Sequence, residues 1–233
     1  MERSIGTYTE HTLHAMLKRH ITNDSTCYEI PLGRFIADVF QAGQVYEIQT
    51  RQFARLCDKL DAFLPEYDVT VVHPVIARAY VNWVDAHSGE IVSRRVVPRK
   101  RGIQDVFLEL YAIRRYLTHP HLHFRFLLVE TEDYKRMGGA DGRQKRGAKR
   151  MDRVPTKILS EVRIHCAKEL VSLLPPLPAQ PFTSADYAKS TGCARAVATA
   201  ALGVLYETGM VARTGKMGNA YVYTVKKEET GIC

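Results

Sequence analysis

Asp38 and Glu47 are the residues whose types and spacing most directly suggest chemistry. They lie in RFIADVFQAGQVYEIQT, residues 34–50, where 35–40 and 44–50 are runs rich in β-branched and aromatic residues and Ala42-Gly43 suits a two-residue turn between them. With that turn Gln41 pairs with Gln44, and counting outward sets Asp38 opposite Glu47. Facing side chains of an antiparallel pair have Cβ atoms about 4.5–5.5 Å apart. Two ionised carboxylates at that range repel, so the pattern expects a cation between them, and a divalent metal with oxygen ligands turns the repulsion into coordination. Period-two alternation puts Gln49 on Glu47's face, beside such a metal.

The neighbouring elements must hold that pair. Thr9 can cap a helix in which Leu13, Met16, Leu17 and Ile21 recur at helical spacing, with Glu10 in its first turn and His14 one turn on. Residues 23–26 read as a polar turn and 27–31 as a short strand carrying Glu29, which is either a further ligand or an edge-strand charge that discourages aggregation. In RQFARLCDKLDAFL, Phe53, Leu56, Cys57, Leu60, Phe63 and Leu64 form one apolar stripe of a helix, and Arg51, Arg55 and Lys59 fall elsewhere on its surface. Pro65 closes it, and 69–72 is a continuous apolar run that reads as a buried parallel strand completing a βαβ crossover.

Read this way, the first seventy-odd residues run αβββαβ. That order, with Asp38 before a turn and Glu47-x-Gln49 after it, resembles the PD-(D/E)XK nucleases over about residues 8–73, in the branch where glutamine replaces the motif's lysine. Ala37 stands where the family often has proline. The resemblance implies an α/β fold with a mixed central sheet and a restriction-endonuclease-like core. It implies Mg²⁺ or Mn²⁺ held by Asp38, Glu47, Glu10 and the carbonyl of Ile48, with Gln49 orienting the attacking water. Glu10 is equally readable as a complement to the helix dipole.

Composition is compatible with this. The chain has 233 residues and 45% hydrophobic content, enough for one large domain or two small ones, and 33 Lys and Arg against 25 Asp and Glu give +8, which favours a polyanionic partner. Cys27, Cys57, Cys166, Cys193 and Cys233 are widely spaced without a C-x-x-C, which predicts reduced thiols in the cytoplasm. The charged N-terminus is no signal peptide, no run approaches eighteen apolar residues, and no membrane role is expected.

Beyond His73-Pro74, AYVNWVDAHSGEIVSRRVV reads as a second hairpin turning at His87-Ser88-Gly89, and Arg99 and Lys100 follow in a basic cluster suited to phosphates. A helix is expected over 102–118 and a strand in HLHFRFLLVE, where His119, His121 and His123 alternate onto one face with no acid or cysteine at suitable spacing. Residues 134–153 combine eight basic residues with four glycines and read as a flexible basic loop that could wrap nucleic acid, with Lys145 and Arg146 as contacts, or could simply be solvated. LLPPLPAQP marks a stiff linker at 175–181. These signals divide the chain into an α/β domain (1–174), that linker, and a C-terminal domain (182–233).

In the last domain Thr183 caps SADYAKS, Thr191-Gly192-Cys193 turns, 194–208 is a helix with Val197, Ala201, Val204 and Leu205 inward, and TGKMGNA joins two strands. This resembles a winged helix-turn-helix. The resemblance implies that Ala194, Arg195, Thr199 and Lys189 face DNA while Arg213 and Lys216 meet phosphates, although such modules also bind proteins. Arg51 and Arg55 are added as DNA contacts near the acids. The function expected is a metal-dependent DNA endonuclease, with RNA left open and two cuts on a duplex calling for a homodimer. The alternative is a winged-helix DNA-binding regulator with an inactive nuclease-like scaffold.

Overall fold

Ala42 and Gly43 both adopt positive φ, +52° and +79°, which closes a tight two-residue hairpin with Gln41 opposite Gln44 as the sequence predicts. The structure, a computed structural model, describes residues 5–97, 102–138 and 144–226, with side chains over 13–97, 102–137 and 154–226. Helix α1 (Ile5–Ile21) leads into β1 (Tyr28–Leu32), β2 (Phe35–Gln41) and β3 (Gln44–Ile48), then α2 (Cys57–Phe63) and β4 (Asp68–Val84). The observed order of these first elements is the one read from the sequence. β5 (Ile91–Val97) follows, then a kinked helical stretch over 103–116 whose α-helical part is α3 (Phe107–Leu110). Long strands β6 (Leu122–Gly138) and β7 (Gln144–Ile164) complete the large sheet.

That sheet is mixed, in the order β1-β2-β3-β4-β6-β7. β4 runs parallel to both β3 and β6, and the other neighbours are antiparallel. β3 pairs with β4 over 68–72 and β5 pairs antiparallel with it over 79–84, so both occupy the edge that β6 leaves free. The ladder to β3 ends for a local reason. Gln49 N–H donates to Val72 O at 3.0 Å, and the next β4 residue facing that edge is Pro74, which has no N–H to give. β4 therefore does not stop at residue 72 as expected but continues past Pro74 to Val84.

Alternation gives the sheet two apolar faces. Val45, Val69, Val71, Phe124 and Phe126 pack with α2 and α3, while Ile48, Val72, Leu127 and Val129 pack against Leu17 of α1. Glu161 of β7 fastens α1: its carboxylate accepts from His20 Nε2 at 2.9 Å and from Arg125 Nε at 2.6 Å.

Two expectations change. The stretch 134–153, read as a flexible basic loop, is strand on both sides of 139–143, because β6 and β7 continue their pairing to Gly138↔Gln144. The segment 175–181, read as a linker, is a strap tied at both ends. Leu174 and Leu177 pack on the main core, Tyr187 Oη donates to Pro175 O, and Val225 N–H donates to Gln180 Oε1.

The C-terminal elements are β8 (Phe182–Thr183), α4 (Ser184–Thr191), α5 (Arg195–Glu207), β9 (Val211–Met217) and β10 (Ala220–Val225), with a small sheet in the order β8-β10-β9. Thr183 and Asp186 form a reciprocal capping box at the start of α4. α5 is buried on more than its expected inner face: Leu202 and Gly203 lie under the 103–116 stretch, and the apolar core runs unbroken from α3 into α5. A Cβ on Gly203 would stand 2.5 Å from Tyr111 Cε2, so glycine is what allows this approach. Cys27, Cys57 and Cys193 are free thiols, but Cys166 is disulfide-bonded, contrary to the expectation of reduced cysteines throughout. Among the described residues no helix is long and apolar enough to cross a membrane.

Candidate active site

β2 and β3 fork where the acids lie. Their ladder runs from Gln41↔Gln44 to Val39↔Tyr46 and then stops, one pair short of Asp38 and Glu47. Past that point the backbone amides bond to side chains of the opposite strand. Ile48 N–H donates to Asp38 Oδ2 at 2.8 Å, and Asp38 N–H donates to Glu47 Oε1 at 3.4 Å. The two carboxylates thus sit crosswise in the fork, close together as the register count predicted but past the end of the ladder and not as a directly opposed pair.

A third residue joins them. Lys59 of α2 donates from Nζ to Glu47 Oε2 at 2.7 Å and to Ile36 O at 2.7 Å, filling a carbonyl that the fork leaves without a ladder partner. The sequence reading put Lys59 on the outer surface, and this is a correction. Its stripe was counted from the apolar residues, but a short 3-10 turn at Phe53–Leu56 precedes α2 and turns the Lys59 side of the helix toward the sheet.

Glu47 is only 2% exposed. Burial, and after it the repulsion from Asp38, pushes its carboxyl up to about 7, against the opposing pull of the Lys59 ammonium. Two acids facing one lysine leave the fork with more negative charge than it can neutralise itself.

The remaining candidates separate. Gln49 lies just past β3, and its amide nitrogen donates to Arg51 O and Gln52 O, so this group is committed to the following loop and not to the carboxylates. Arg51 and Arg55 are exposed on that loop and the turn after it, close in sequence to the fork. Glu29 pairs with Lys18 at 3.0 Å on edge strand β1. The Glu10 side chain, Arg99 and Lys100, and the side chains of Lys145 and Arg146 fall outside the described residues.

At the start of β4, the histidines do have an acid nearby that spacing did not reveal. Asp68, at the start of β4, accepts from His121 Nδ1 at 2.6 Å and stands 3.8 Å from His123 Nε2, because parallel β4 and β6 begin side by side. Hydrogen bonds and charge from these histidines hold its carboxyl below the usual range. Among the described residues no three His, Cys, Asp or Glu side chains converge as a metal site.

In the C-terminal unit Lys189, Arg195, Thr199, Arg213 and Lys216 are exposed. The Arg213 guanidinium lies 4.0 Å from the ring centroids of both Tyr206 and Tyr221. The outward face of α5 is open only at its first turns and at Tyr206–Glu207, since Leu202 and Gly203 between them are covered.

Residues 11–165 match a family described as Domain of unknown function (DUF8091). The chain belongs to that family. The match runs from within α1 through β7, contains the fork, and ends where the large sheet ends, before the strap and the C-terminal unit. The chain is also similar to an uncharacterized protein of Treponema pallidum (strain Nichols), 28% identical over 238 residues that take in 98% of this chain and 89% of that protein. No solved structure matches.

Proposed function

We propose that the chain is a metal-dependent nuclease that hydrolyses phosphodiester bonds of DNA at the fork between β2 and β3. The observation that carries this reading is the pair Asp38 and Glu47, held crosswise on separating strands with Lys59 on Glu47. The donor set fits a hard cation: two carboxylates outweigh one ammonium, and among the described residues Asp38 Oδ1 accepts no hydrogen bond. Asp38 and Glu47 would hold Mg²⁺ or Mn²⁺, with the Ile48 carbonyl as the further protein ligand. When bound, the ion lowers the pKa of a coordinated water and neutralises charge on the phosphoryl oxygens.

The protein's own groups have separable roles. Asp38 is fixed through Oδ2 by the Ile48 amide, which leaves its other oxygen for the ion. Glu47 is aimed by Lys59, whose ammonium bridges it to Ile36 O, and that ammonium supplies the positive charge for which the family pattern uses a strand lysine. Gln49, bound to the loop by its amide nitrogen, shapes the 49–52 turn beside the fork.

The C-terminal elements carry the order of a winged helix, which we take as an accessory module in the same protein. A second reading, a non-enzymatic scaffold, is favoured by one fact: Lys59 already compensates Glu47 without any metal. Incubation of the purified protein with supercoiled plasmid and Mg²⁺ or Mn²⁺ separates the two. Nicking is expected, and Asp38→Asn, which keeps an acceptor for Ile48 N–H, should lower it at least about 100-fold, the loss of a group acting in the transition state. Neither nicking nor a metal-induced rise in melting temperature would leave only the scaffold.

A further inference from the structure

The large sheet outgrows its cores. β4, β6 and β7 have 17, 17 and 21 residues, against about 5–6 for an ordinary strand. Neither of the two main apolar clusters includes a residue beyond Ile76 on β4, beyond Val129 on β6, or on the β7 stretch before Ile158, although Ala79, Val81, Trp83 and Val84 of the central strand β4 are themselves buried. Past those points four strands, β5-β4-β6-β7, continue as an arm. On the edge strand β5, Val92 and Val96 are each 54% exposed.

Charge gathers on the arm. Residues 78–97, 130–138 and 144–157 hold eleven Lys and Arg against six Asp and Glu, so 43 residues carry +5 of the formal +8. The register sets Lys135 opposite Arg150 and Arg136 opposite Lys149. Like charges directly across a ladder destabilise it. Some arm cations are neutralised, as Arg94 is by Glu132 and Arg78 by Glu130, whereas exposed Arg95 makes no ion pair among the described residues.

We propose that this arm is the nucleic-acid-binding surface, laid along a phosphodiester backbone that relieves the opposed cations. Its position suits the fork. β4 passes Ile48 at Val72 and reaches the arm at Arg78, six residues on, roughly 20 Å at about 3.3 Å per residue. A duplex strand rises about 3.4 Å per nucleotide, so the gripped phosphates lie about six nucleotides from the bond at the acids. The inference rests on the nuclease reading for what happens at the fork, but binding by the arm does not require cleavage.

The test uses the full chain carrying Asp38→Asn, without divalent metal, and a fluorescein-labelled 30-base-pair duplex followed by anisotropy from 50 to 200 mM KCl. Adding Arg95→Glu, Lys149→Glu and Arg150→Glu should weaken binding at 50 mM at least 10-fold. Three lost phosphate contacts also lower the slope of log affinity against log salt by about 2.7, so the parent loses about 40-fold more affinity over that range than the variant. Equal affinity and slope in parent and variant would overturn the arm. So would a parent that ignores DNA but binds phosphatidylserine vesicles. If the triple variant fails to fold, hydrogen exchange on the parent decides: slowed exchange over 91–97 and 144–157 on adding duplex supports the proposal, and protection confined elsewhere ends it. DNA binding by the arm without plasmid nicking by the wild type would remove the nuclease reading and leave the arm standing.

Discussion

Replacing Glu47 by glutamine should change how stability depends on pH. In the folded chain the Glu47 carboxyl sits at about 7, raised from 4.5 first by burial and then by Asp38. Below 4.5 the folded and unfolded chains both hold the proton and the residue contributes no difference. Between 4.5 and 7 the unfolded chain ionises first, so stability falls as pH rises, and above 7 the full penalty of a buried charge is present. A displacement of this size at about 1.4 kcal/mol per pH unit corresponds to roughly 3 kcal/mol. For a chain of this length that is about 6–12 °C in melting temperature, at about 2–4 °C per kcal/mol. Thermal melts of wild type and Glu47→Gln in EDTA, from pH 4.5 to 8.5, measure it, because their difference isolates the Glu47 proton. Wild-type stability should decline relative to the variant from about pH 4.5 and level off near pH 7, and Asp38→Asn should move that levelling-off to lower pH by removing one of the two causes. At pH 8, 10 mM Mg²⁺ with a Kd near 1 mM would return about 1.4 kcal/mol to the wild type and little to Glu47→Gln. A difference curve flat across this range would refute the argument that the fork concentrates uncompensated negative charge.

Lys59→Met should cost about 3–5 kcal/mol at pH 8 by leaving Glu47 charged and unpartnered, and only about 1 kcal/mol at pH 5, where the carboxyl is neutral; urea melts at the two pH values check this. Gly203→Val should destabilise by about 1–3 kcal/mol through collision with the Tyr111 ring, and Tyr111→Ala in the same chain should recover at least half of the loss in thermal melts.

The parts of the fold that depend on short-range chemistry could be read directly. Ala42-Gly43 admits the positive φ values that set the hairpin register, and register alone put Asp38 across from Glu47. Thr183 could be recognised as a cap, and the structure adds Asp186 as its reciprocal partner. The misreadings concern long-range structure. Lys59 belongs to the fork only because of how α2 is rotated against the sheet, which the apolar stripe does not determine. Pro74 looks like a strand end but faces an edge where no donor is required. Glycine and charge made 134–153 look like coil, yet pairing along a neighbouring strand overrides local preference there. Asp68 meets His121 across 53 residues of chain, a proximity that only the parallel alignment of β4 and β6 creates.

The seam between Tyr111 and Gly203 bears on how the molecule can be divided. A chain cut after residue 174 would keep the whole span of the family match yet bare Phe107, Leu110 and Ile113, which α5 now helps to keep dry. Such a fragment should aggregate or melt early, and the intact protein should unfold in one cooperative step despite its two sheets.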